Sequence, residues 1–176
     1  MVGSVQVMKL GKYSGTVLQF DFGDFYCYGI CVGASQLPHE DSKSAKGIFI
    51  VRMLAPAVSE EVSDLNVIHG FPLRTYVRFH LGAMMRQPEV TILGQVELSE
   101  SELSEPTFKS LGLFAPGAKA KGWWLLNSNR EDWVTSLTPE ERRFPINGVY
   151  GLVGLRELYD LDLYPESEIY FTNAPA

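Results

Sequence analysis

A chain of 176 residues with 45% hydrophobic and 20% charged residues has the composition of a folded domain. A chain of that length buries about 70% of its unfolded surface without covalent staples, which excludes a disordered or disulfide-dependent protein and fits one domain over residues 1–176. No run of about 18 apolar residues and no basic-then-apolar leader occurs, so a soluble, cytoplasmic protein with no membrane contact is expected. The net charge of −6 lies beyond residue 96, where thirteen acids face seven bases, against eight of each before it. Nucleic-acid binders carry a basic stripe instead, so no nucleic-acid partner is expected.

In chain order, residues 5–10, 15–20 and 25–32 read as strands, short β-type runs parted by glycine and polar breaks. Between the last two, Asp21-Phe22-Gly23-Asp24 puts a glycine where a tight turn needs positive φ, so they should fold back as an antiparallel hairpin. Residues 34–46, with Pro38, His39, Glu40 and Asp41 among serines and lysines, form a polar surface loop, and 47–54 returns as a Val/Ile/Phe strand. Within 56–66, Ser59-Glu60-Glu61 fits one helical turn. Strands follow at 74–81 and 90–96, separated by Pro88. Alternation in the first sets Tyr76, Arg78 and His80 on one face and Thr75, Val77 and Phe79 on the other.

Residues 97–105 hold four acids and no base, and read as a projecting loop or short helix. Residues 122–126 follow as a tryptophan-containing strand with its turn at 127–130. At Thr138-Pro139-Glu140-Glu141 a helix starts: the threonine caps, the proline suits the first helical position, and Glu141 completes a capping box. Pro145 ends it. Strands are expected again at 149–155, interrupted by Gly151 and Gly154, and at 168–171, with 155–163 open between helix and strand. The elements add up to a mainly β (α+β) fold, a twisted antiparallel sheet or partly closed SH3-like barrel with a few short helices.

Patterns that carry chemistry are few. His39, His69 and His80 are dispersed, and Cys27-Tyr28-Gly29-Ile30-Cys31 lacks the second ligand pair of a zinc site. On a strand the two cysteines lie roughly 13 Å apart, beyond the limit of about 7 Å for a disulfide, so two reduced apolar thiols are expected. Asp160-Leu161-Asp162 opens like a calcium loop, but Tyr164, Pro165 and Phe171 stand where a ligand, the turn glycine and the bidentate glutamate belong. Gly23, Gly29 and Gly33 fall in the hairpin rather than between a strand and a helix as a phosphate cradle requires, and no G-x-S-x-G elbow occurs. The residues assign no catalytic group, metal or cofactor.

What remains is surface. Trp123, Trp124 and Trp133 cluster near the acids, and tryptophan supplies binding energy when exposed at an interface. Neighbouring strand residues face opposite sides, so one of Trp123 and Trp124 points into the core. Glu97, Glu100, Glu102 and Glu105, joined by Asp160, Asp162 and Glu166, form a negative field that suits a basic protein partner and equally suits plain solubility.

The run Val17-Leu18-Gln19-Phe20 followed by Gly23-Asp24-Phe25-Tyr26-Cys27-Tyr28-Gly29-Ile30-Cys31-Val32 resembles the opening hairpin of immunity protein family 26 of bacterial polymorphic-toxin systems. Residues 48–54 resemble that family's next strand. Residues 123–126 with Arg143-Phe144-Pro145 resemble its later tryptophan strand and Pro-Phe element. The chain departs from the pattern at Ile30 and Cys31, where an arginine often follows the glycine, and Arg143-Phe144-Pro145 reverses the usual order. The resemblance implies a binding protein that neutralises a cognate toxin domain by protein–protein contact, with no cofactor and no catalytic residue; a basic nuclease is the kind of toxin that the acidic charge would suit. The residues themselves leave open an enzyme or small-ligand β-barrel whose site is assembled from distant positions, and a regulatory subunit of a larger assembly. A deep pocket with convergent polar groups would mark the former.

Overall fold

The first turn forms for the reason its residues give. Gly23 takes φ +86°, its N–H donates to Asp21 Oδ1 at 2.8 Å, and strands β1 (Thr16–Asp21) and β2 (Tyr26–Ala34) pair antiparallel from Val17↔Ile30 to Asp21↔Tyr26. The computed structural model describes residues 11–172 other than 39, 44 and 113–119; the strand expected at 5–10 lies outside the described residues. Strands β3 (Ile48–Leu54), β4 (Leu73–His80) and β5 (Val90–Gln95) complete an antiparallel sheet of order β4-β3-β2-β1-β5. A second antiparallel sheet is built from β6 (Phe108–Leu111), β7 (Trp123–Asn127) and β8 (Arg130–Val134). The fold is mainly β, as expected, with open sheets rather than a closed barrel.

Both faces of the larger sheet are covered, which is why β2 reads as a near-continuous apolar run instead of an alternation. On one face Leu18, Phe20, Cys27, Cys31, Val51, Met53, Val77 and Phe79 pack under helices α2 (Leu81–Met84) and α3 (Leu152–Asp160), which contribute Leu81, Met84, Leu155 and Leu158. On the other face Val17, Tyr28, Ile30 and Leu54 meet Ile68 of α1 (Leu65–His69), while Val32 and Ile50 meet Phe108 of the second sheet.

Four of the expected elements form differently. The strand predicted at 149–155 is reduced to a one-residue bridge at Val149, and the chain is helical from Leu152. Leu152, Leu155 and Leu158 recur at helical spacing and turn toward the core, a stripe that outweighs the β-type look lent by the two glycines. The strand expected at 168–171 is a 3-10 turn, Glu168–Phe171. The helical turn sought at 59–61 lies further on as α1, where Asp64 Oδ1 accepts from the Asn66 and Val67 N–H groups at 2.9 and 3.4 Å. The capping box at Thr138 forms in both directions, Glu141 N–H to Thr138 Oγ1 at 3.2 Å and Thr138 N–H to Glu141 Oε2 at 2.9 Å. It opens a single 3-10 turn, Glu141–Arg143.

Residues 145–150 form a seam between the sheets. Lys109 N–H donates to Pro145 O and Asn147 N–H to Lys109 O, each at 2.8 Å, and Tyr150 N–H donates to Arg78 O at 2.8 Å. The segment thus makes one parallel bridge to β6 at Ile146 and one to β4 at Val149.

Candidate functional site

Where this seam crosses from one sheet to the other, the edge of β4 is left open. The resulting cleft, about 510 Å³, is lined by residues 73–76 of β4, by 106–107 ahead of β6, by 143–145 and by 164–166. Register slips between Met53↔Thr75 and Leu54↔Leu73, so Arg74 is the extra residue of a β-bulge, a device that re-aims a side chain. Its guanidinium lies between the rings of Tyr159 and Tyr164, 4.6 and 4.4 Å from their centroids. It donates to Leu158 O at 2.6 Å and to Asp162 Oδ1 at 3.1 Å, while its Nε has no partner among the described residues. Arg78 turns its carbonyl outward to Tyr150, so Tyr76, two residues earlier on the same strand, turns its own N–H and C=O the same way, toward the cleft. Arg143 also lines the cleft, is exposed and makes no ion pair among the described residues.

Two buried cations hold these walls. Arg78, 1% exposed, binds both carboxylate oxygens of Glu40 at 2.7 and 2.6 Å, Ser35 Oγ at 3.0 Å and Asn147 Oδ1 at 2.9 Å. Lys109, fully buried, donates to the carbonyls of Arg142 and Pro165, tying the 141–143 turn and the 164–166 wall to β6. Burial pulls its pKa from 10.5 down to about 8, with Glu166 opposing the shift and Arg142 adding to it.

Of the residues expected to meet a partner, Glu166 lines the cleft and Asp162 reaches it through Arg74. Asp160 pairs with Arg156 at 2.9 Å. Trp123 is the tryptophan that points inward, 3% exposed with its ring 5.4 Å from that of Phe171, and so is not a surface contact. Trp124 is half-buried and stands edge-on to Trp133, centroids 5.0 Å apart. Glu97 and Glu100 are exposed, whereas Glu105 accepts from the Ser128 N–H at 3.1 Å. Glu102 is bound by Arg52 and by His69 Nε2, the latter at 2.8 Å.

Burial alone would raise the Glu102 carboxyl, but the Ser99 N–H and hydroxyl, His69 and Arg52 together outweigh it and hold the pKa at about 2. Depressed below its ordinary 4.5, the group contributes stability in full above about pH 4.5 and loses it as pH falls toward 2. Glu102→Gln is expected to cost about 1–3 kcal/mol at neutral pH, the loss of hydrogen bonds to a charged acceptor. Urea unfolding followed down through that window should show a flatter acid limb in the variant; identical limbs would refute the assignment.

Cys27 and Cys31 are free thiols in the core beneath α3. Burial raises both, Cys31 to about 12 and Cys27 further still, with Tyr159 and Arg74 offsetting only part of the rise at Cys27. Native protein should therefore react with a thiol reagent at mildly alkaline pH at least about a hundredfold more slowly than unfolded protein. Two fast equivalents in the native state would contradict this. Among the described residues no three potential metal ligands gather, and no helix is long and apolar enough to cross a membrane.

Arg74, Tyr76, Arg143 and Tyr164 are cleft residues that the sequence pattern does not mark as a group. The signal available was a pair of arginines four apart in a strand otherwise fit for burial, a spacing that asks for internal acceptors. The chain matches no protein-family model, no curated protein and no solved structure.

Proposed function

We propose that the protein acts by recognition, as an immunity-type inhibitor that neutralises a cognate toxin domain by protein–protein contact. The observation that carries this reading is the open edge of β4 at Tyr76 in the cleft, since an uncovered strand edge is a template for another chain. Several of the side chains that chemistry would draw on are engaged inside: both thiols are protonated in the core, Arg52 and His69 hold Glu102, and Arg78 and Lys109 bind the chain's own oxygens. Glu97 and Glu100 remain exposed and can steer a basic partner. The likeness of the hairpin at 17–32 to the immunity family supports the same role.

The test is co-production with a toxin domain encoded beside the gene for this chain. Restored growth and a stable complex on size-exclusion chromatography are expected; a toxin that stays fully active under saturating amounts of the protein would overturn the reading. A small-ligand site is the second reading, favoured by the cleft's volume, which falls within the range of about 300–1,000 Å³ typical of ligand pockets.

A further inference from the structure

We infer that the cleft receives a short extended segment of the partner protein, its main chain paired to Tyr76 and one carboxylate side chain held by Arg143. The inference rests on the recognition reading above and specifies what that site takes.

The seam supplies the first argument. Residues 149–150 run alongside β4 at Arg78, and a strand continuing in that line would next meet Tyr76; the chain instead departs at Asn147 to pair with Lys109. A place shaped for extended backbone is thereby left beside Tyr76. The Tyr76 N–H has no partner among the described residues, and its carbonyl receives only the hydroxyl of adjacent Thr75, at 3.3 Å. Outward-facing main-chain groups of an edge strand are the groups that an added strand engages, whatever its side chains, and extended polypeptide is the occupant they suit.

Charge supplies the second. Asp162 balances Arg74, whereas Arg143, the other arginine of the lining, makes no ion pair among the described residues. An aspartate or glutamate of the incoming segment matches it, and the planar guanidinium suits two parallel hydrogen bonds to a carboxylate. Apolar flanks of the segment would rest on Leu73, 43% exposed, and on Pro106 and Phe144. The negative net charge of the protein acts at long range on approach; this contact is local and of opposite sign.

Random heptapeptides displayed on phage, panned against the full chain and counter-selected on Arg143→Glu, provide the test. Enriched peptides should share an acidic residue within a β-branched or apolar stretch. The Kd of a synthetic winner should rise at least about tenfold on Arg143→Glu and recover when the peptide's acid is changed to lysine. N-methylation of one backbone amide should raise Kd similarly, while methylation of its neighbours should not. No enrichment, equal binding to both proteins, or tolerance of N-methylation at every position would overturn the inference. Arg143→Gln, checked for an unchanged melting temperature, replaces the reversal if Arg143→Glu misfolds. Toxin rescue that survives Arg143→Glu, with no peptide bound, would sink the docking mode and leave the inhibitor role standing. Peptide binding with no toxin neutralised would do the reverse.

Discussion

Arg78→Met is expected to lower folding stability by about 3–5 kcal/mol, the cost of removing one partner of a buried, hydrogen-bonded charge pair. The guanidinium is 1% exposed and serves three acceptors on two separate loops, Ser35 and Glu40 on one side and Asn147 on the other. Methionine fills much of the volume but donates nothing, so Glu40, with a side chain 26% exposed, keeps a charge with little water to solvate it. Urea denaturation at neutral pH measures the loss. Glu40→Gln in the same background should recover part of it, because the stranded charge is then gone, and a double-mutant cycle reads the coupling directly. A loss below about 1 kcal/mol would mean that the loop carrying Glu40 can swing out to solvent at little cost.

Lys109→Met should behave quite differently. Its folded pKa of about 8 lies below the 10.5 of an unperturbed lysine, so the fold disfavours the charged form. That penalty is complete below about pH 8, shrinks as pH rises, and is gone above 10.5, an interval worth about 3 kcal/mol. At neutral pH the variant loses two donors to buried carbonyls and also loses a buried charge, opposing effects that should leave it close to wild type. Near pH 10.5 it should be less stable than wild type by about 3 kcal/mol. Comparison with wild type is essential, because Cys27, Cys31 and Tyr150, all raised by burial, give a slope of the other sign in both proteins. A constant difference between wild type and variant from neutral to alkaline pH would sink the assignment.

How far the sequence discloses this fold depends on how local each cause is. The hairpin of β1 and β2 was legible because Asp21 and Gly23 determine its turn within three residues. The capping box at Thr138 was legible for the same reason. Helix α3 was hidden by Gly151 and Gly154, which weaken a helical pattern that only the packing of Leu155 and Leu158 on the sheet makes decisive. Glu102 looked like one of four free glutamates because Arg52 and His69, which bind it, lie 50 and 33 residues away. The cleft was illegible as a unit, for it is assembled from four separate stretches and owes its opening to the line taken by the seam, which continues one of them.

That seam also sets a timetable. Each sheet is made from strands that follow one another closely in the chain apart from the β1 and β5 pairing, and the strands of both have left the ribosome by Val134. Their union has to wait for residues 145–150, and Arg78 meets Asn147 across a separation of 69 residues, the kind of contact whose closure entropy slows folding. Leu155 and Leu158, which cover one face of the larger sheet, arrive later still. During synthesis at about 5–20 residues per second, a nascent chain therefore spends an interval with the facing strand edges of β4 and β6 and an apolar sheet face uncovered.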